Sequence, residues 1–136
     1  MSVAVFDASV AVKWFVADDL LAAPALAARG EFEPAAPSLI QIEVANALRK
    51  YLRAGRVDLD DVIESVEVLG KIMVLYPDDD LLAPAQRLAA QLTHSVYDCL
   101  YLSLAQRLSC PLVTADRRLA ERAAHLGVST MLIAPE

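Results

Sequence analysis

The apolar positions along this chain change period repeatedly, from the unbroken runs of buried strands to the three-and-four spacing of helices. Val3 to Phe6 predicts a short buried strand, followed by a helix over Ser9 to Val16. A helical pattern continues from Asp18 to Arg29, with Pro24 expected to break or kink it and Gly30 to end it. Phe32 to Ala36 supplies a second short strand. Ser38 then opens the longest helix, running to about Ala54, with Gly55 as its stop signal. A further helix is expected over Leu59 to Leu69, with Asp58 as its cap. Ile72 to Leu75 reads as a strand closed by Pro77, and two helices follow, over Leu81 to Leu92 and Val96 to Leu108. Leu112 to Thr114 is a strand, Arg117 to His125 a helix stopped by Gly127, and Val128 to Ile133 the last strand.

Strands that alternate with helices imply a central parallel β-sheet flanked by α-helices on both faces. No internal repeat, low-complexity segment or linker interrupts the pattern, so residues 1–136 are expected to form a single α/β domain.

Composition narrows the class. Hydrophobic residues make up 57% of the chain, yet charges interrupt every apolar run before it reaches the length of a membrane span. The first residues lack the basic flank and long apolar core of a signal peptide, and the chain is expected to be cytoplasmic with no membrane partner. The excess of apolar surface is then expected to lie at a subunit or partner interface. Cys99 and Cys110 form no metal-binding spacing and read as core residues. Twelve basic against 18 acidic residues give a net charge of −6, which argues against a broad basic nucleic-acid surface. It does not exclude an enzyme that meets phosphates through bound cations.

Open parallel sheets present functional groups at the carboxyl ends of their strands. Asp7 follows the first strand and Asp116 follows the strand ending at Thr114, while Glu43 and Asp98 lie on helices. Each has a plainer reading. Asp7 and Asp116 could each cap the helix that follows, and Ser95 with Asp98 fits a capping box. Glu43 has no basic partner three or four residues away, so it is either solvated or facing a cleft. The readings are compatible, because a helix N-terminus holds a carboxylate ionised. Carboxylates brought into one pocket repel, and stay ionised together only when a cation offsets them. Hard oxygen ligands of this kind suit Mg²⁺ or Mn²⁺.

Four segments carry a resemblance. Val5-Phe6-Asp7-Ala8-Ser9-Val10, Glu43-Val44-Ala45-Asn46-Ala47-Leu48, Tyr97-Asp98-Cys99-Leu100-Tyr101-Leu102-Ser103-Leu104-Ala105 and Val113-Thr114-Ala115-Asp116-Arg117-Arg118-Leu119 resemble, in this order and spacing, the PIN-domain ribonucleases, specifically the VapC-like toxins of bacterial toxin–antitoxin pairs. The resemblance covers essentially the whole chain. It implies an acidic metal site of Asp7, Glu43, Asp98 and Asp116, with Mg²⁺ as cofactor and Mn²⁺ as a substitute. It also implies that Ser9 and Thr114 position water or the scissile phosphate, and that Asn46 orients the glutamate. The activity implied is endonucleolytic hydrolysis of RNA by a metal-activated water. A cognate VapB-like antitoxin and a homodimer are implied as partners. Cys99 stands where a small residue is common in that family.

Other side chains are assigned less. Lys13, Arg49, Lys50, Arg53, Arg56, Arg117 and Arg118 include candidates for guiding an RNA backbone, with Lys50 and Arg117 favoured by their neighbours Glu43 and Asp116. His94 and His125 match no motif and read as surface or packing residues. The acidic runs Asp58-Leu59-Asp60-Asp61 and Asp78-Asp79-Asp80 read as helix caps outside the site. Trp14 and Phe15 belong to a partner groove or to the domain's own core. A receiver-type signalling domain would need a second acidic residue beside Asp7 and a lysine after the last strand, and neither is present. A phosphatase using Asp7 as nucleophile would need an acid two residues on, where Ser9 stands. A PIN fold that binds RNA or antitoxin without turnover remains open.

Overall fold

A computed structural model describes residues 1–135. Five strands pair in parallel throughout: β1 (Val3–Phe6), β2 (Glu33–Pro37), β3 (Val74–Tyr76), β4 (Leu112–Thr114) and β5 (Thr130–Leu132). Their order across the sheet is β3-β2-β1-β4-β5, so the chain starts in the middle and fills one side before the other. Seven helices connect them: α1 (Ala8–Ala11), α2 (Ala22–Glu31), α3 (Leu39–Arg53), α4 (Leu59–Ile72), α5 (Leu82–Leu92), α6 (Val96–Leu108) and α7 (Arg117–His125). Parallel crossovers are right-handed, so reversing the direction of travel after β3 moves the connecting helices to the opposite face. The expected parallel sheet with helices on both faces is therefore the observed one.

β1 and β4 are buried apolar runs, as strands covered on both faces must be. Phe6 packs on Trp14 at a centroid separation of 5.3 Å and edge-on to Phe32 at 6.4 Å. Trp14 belongs to this core, and its indole N–H donates to the Ala25 carbonyl at 3.0 Å. Phe15, half-buried, lines a groove with Val57 and Val68. α3 buries Ile40, Val44, Leu48 and Tyr51, a stripe at four-, four- and three-residue steps, which leaves Glu43 on its flank. Both cysteines are free, with Cys99 buried and its thiol pushed by that burial up to about 11.

Several boundaries differ from expectation for local reasons. The first helix lasts one turn, and Val12–Phe15 continues as a 3₁₀ turn. Pro24 does not break α2, because it lies in the first turn, where a missing N–H removes no helical bond. Gly30 lies inside α2 rather than ending it. β3 begins at Val74, after α4 has run on to Ile72. Among the described residues no helix is long and apolar enough to cross a membrane.

Candidate active site

β1 and β4 are neighbours at the point where the strand order reverses, and their carboxyl ends meet. Asp7 follows β1 directly and is 5% exposed. Its Oδ1 caps α1 by accepting from the Val10 amide at 3.3 Å, and also accepts from the Ser9 hydroxyl at 2.6 Å. Its Oδ2 accepts from the Thr114 hydroxyl at 2.6 Å. Both hydroxyls are aimed by β4's exit: the Ala115 amide donates to Ser9 Oγ (2.9 Å) and the Asp116 amide to Thr114 Oγ1 (3.0 Å). With their lone pairs so engaged, the hydroxyl protons turn to the carboxylate. Burial nevertheless raises the Asp7 carboxyl to about 7; the Ser9, Thr114 and Val10 hydrogen bonds oppose the rise and the Asp98 charge adds to it.

Glu43 projects from the second turn of α3 and is half-buried. The phenol of Tyr101, on α6, donates to its Oε1 at 2.5 Å. Burial raises the Glu43 carboxyl, the Tyr101 bond lowers it, and the charges of Asp98 and Asp78 raise it further. Tyr101 itself is pushed well above its ordinary range, first by burial and then by Glu43. Asp98, in the first turn of α6, thus acts on both Asp7 and Glu43. Its backbone amide is capped by Ser95 at 3.2 Å, and its Oδ2 lies 2.7 Å from His94 Nε2.

Asp116 caps α7, accepting at Oδ1 from the amides of Arg118 (2.9 Å) and Leu119 (3.3 Å). Two clefts are bordered by the other candidate residues, and Asp7 itself lines neither. One, of about 470 Å³, is bordered by His94, Ser95, Asp98, Asp116 and Arg118. The other, of about 460 Å³, is bordered by Ser9, Lys13, Glu43, Lys50 and Ala115. Of the consecutive residues Ala115 and Asp116, Asp116 borders the first cleft and Ala115 the second. Lys13 is held at 3.0 Å by both Asp19 and the Tyr51 hydroxyl, whereas Lys50 is exposed.

The model of the family described as "PIN domain" matches residues 4–125. This chain belongs to the PIN-domain family. Its curated relatives include ribonuclease VapC12 of Mycobacterium tuberculosis, 36% identical over 124 residues that make up 89% of this chain and 92% of the relative. VapC ribonuclease Mb0985 of Mycobacterium bovis is 34% identical over 86 residues, 62% of this chain and 66% of that one. Ribonuclease VapC3 of Pyrobaculum aerophilum is 34% identical over 87 residues, covering the same shares. The match thus spans just under two thirds of the Mycobacterium bovis and Pyrobaculum relatives' length. In three dimensions, PAE2754 from Pyrobaculum aerophilum shares the fold with a TM-score of 0.70, at 24% identity, over 95% of this chain and 83% of that one.

Within this PIN domain the seven sequence-selected residues are not all in one place. Asp7, Ser9 and Thr114 form one hydrogen-bonded unit, and Asp98 and Glu43 act on it or on each other through charge. Asp116 borders the Asp98 cleft. Asn46 is exposed and accepts from Arg49 at 3.4 Å, while the residue that orients Glu43 is Tyr101. His94 is neither a surface residue nor only a packing one: it is buried against Asp98. Tyr101, three residues beyond Asp98 on α6, was detectable as a helical-spacing neighbour of an acidic position, whereas His94 precedes the α6 cap Ser95 and has no helical spacing to read. Asp78, set aside as a cap, does cap, but at a distance: its Oδ1 accepts from the Leu39 amide at 3.0 Å, beside Glu43.

The donor set can be tested for a divalent cation. Among the described residues no three His, Cys, Asp or Glu side chains lie close enough to hold one ion as they stand. Their chemistry fits one. All four candidates are hard oxygen donors, and Asp7, Glu43 and Asp116 have no ion pair with a basic side chain among the described residues. Two of them are raised by burial and by a neighbouring carboxylate. A cation relieves both penalties at once.

Proposed function

We propose that residues 1–136 form one ribonuclease domain that hydrolyses RNA phosphodiester bonds endonucleolytically, and that the protein is the toxin of a toxin–antitoxin pair. The observation that carries the reading is Asp7: a buried carboxyl at the meeting of β1 and β4, raised to about 7 and with no basic partner among the described residues. Such an arrangement is unfavourable for stability and suits a site that recruits positive charge. The ribonuclease names of the relatives point to RNA as the substrate.

Asp7, Glu43, Asp98 and Asp116 would hold Mg²⁺, or Mn²⁺ in its place. When bound, the cation supplies an activated water and neutralises charge on the phosphate. The chain's own residues do the rest. Ser9 and Thr114 fix both oxygens of Asp7, so the carboxylate enters the reaction already oriented. Tyr101 does the same for Glu43. Lys50 on one cleft and Arg118 on the other offer cations to backbone phosphates either side of the cut. Exposed Ile42, Leu59, Ile63 and Tyr97 leave apolar surface for a second copy and a VapB-like antitoxin.

The test is cleavage of total RNA by antitoxin-free protein with Mg²⁺, Mn²⁺ or EDTA, beside Asp7→Asn. Cuts that need the metal and vanish in the nearly isosteric variant are expected. Equal cutting by Asp7→Asn would remove the proposed site, and a folded protein that never cuts would favour a PIN module that binds without turnover.

A further inference from the structure

We propose that His94 is a positioning residue for the acidic site, fixing the Asp98 carboxylate in the orientation that metal binding requires. The inference rests on the reading of Asp98 as a metal ligand. His94 Nε2 lies 2.7 Å from Asp98 Oδ2, and the side chains are 5% and 31% exposed. The tautomer with hydrogen on Nε2 makes this a donated hydrogen bond, since an ionised carboxylate only accepts.

The surroundings argue that the imidazole is there for that bond. Its Nδ1 is buried with no hydrogen-bond partner among the described residues, so half of the ring's polar capacity is unsatisfied there. An apolar side chain of similar volume would avoid that desolvation penalty. The backbone that presents it is also unfavourable. α5 ends at Leu92, and Thr93 adopts φ 50° and ψ 55°, a left-handed conformation that a β-branched residue rarely enters. The amides of Thr93 and His94 then both donate to the Ala89 carbonyl, and Ser95 caps α6 immediately after. The turn between α5 and α6 is therefore anchored at both ends, and His94 is its inward-facing residue.

The consequence for Asp98 is geometric. This carboxylate is repelled by Asp7 and Glu43, and without a donor it would turn toward the solvent of its cleft. The His94 bond engages Oδ2 and opposes that rotation, leaving Oδ1 for a ligand. Hydrogen bonds to metal-binding carboxylates act in this way elsewhere, and removing them weakens metal affinity by about 10–100-fold.

Titration of Mn²⁺ into RNA-free protein, followed by calorimetry, tests the idea on wild type and on His94→Leu, His94→Gln and His94→Asn. The glutamine amide nitrogen reaches the position of Nε2; the shorter asparagine does not. We expect His94→Leu and His94→Asn to bind Mn²⁺ about 10–100-fold more weakly, and His94→Gln to recover most of the affinity. Melting temperatures in EDTA should not follow that order. His94→Leu binding Mn²⁺ like wild type, or glutamine and asparagine behaving alike, would overturn the role of His94. Wild-type protein that binds no Mn²⁺ would instead overturn the metal-site reading, and this inference with it.

Discussion

Asp7 is surrounded by donors and still holds its proton up to about pH 7, which makes it a measurable liability in the metal-free protein. Its folded value lies above its ordinary 3.8. The folded state therefore binds the proton more tightly, and stability falls as pH rises through that interval. Each pH unit between the two values corresponds to about 1.4 kcal/mol, so the ionised form is disfavoured by on the order of 4 kcal/mol at most. Asp7→Asn removes the ionisation but keeps the shape. In EDTA at pH 8 the variant should melt several degrees above wild type, and the gap should close as the pH falls toward 4. A gap that did not change with pH would mean that the Asp7 carboxyl is not the titrating group.

The helices that carry the site are held by contacts from outside themselves. Ser38 stands at the N-cap of α3 but makes no capping bond, and Asp78, from the turn after β3, accepts from the Leu39 amide instead. Asp78→Ala should lower stability by about 1 kcal/mol, read as a lower urea midpoint with an unchanged slope. An unchanged midpoint would show that the cross-element cap contributes nothing. This level marks where sequence reading stops. The end of β1 was legible because a compact apolar run gives way to Asp7, and the caps at Asp58, Ser95 and Asp116 followed from residue type and spacing. The cap from Asp78 was not, because its acceptor comes from another element. Nor could the helix expected over Ser9 to Val16 be divided into one α-turn and a 3₁₀ turn, since a stretch that is apolar apart from Ser9 and Lys13 fits either. His94 reads in the sequence as a surface or packing residue because a lone histidine carries no pattern, and it lies before the Ser95 cap, outside the helix that carries Asp98.

At the scale of the molecule, one sheet with a shared core ties the first strand to the last helices. Trp14, the single tryptophan, is buried against Phe6 in that core and reports on it. Unfolding in urea should give one transition, with tryptophan fluorescence and helical circular dichroism coincident. Two separated transitions would divide the chain into independent units and contradict a single domain. Legibility also changes at this scale: alternation of strands and helices is enough for a parallel sheet, but the return from β3 across β2 and β1 to β4 is set by long-range pairing that no local pattern records. That return has a further consequence. Thr114 lies 107 residues beyond Asp7, and its hydroxyl is one of the bonds that define the site. A ribosome translating this message completes Asp7 long before Thr114 and Asp116 exist. A nascent or prematurely released chain that stops short of β4 therefore has the first carboxylate without Thr114 and Asp116, and the proposed site exists only once nearly the whole chain has been made.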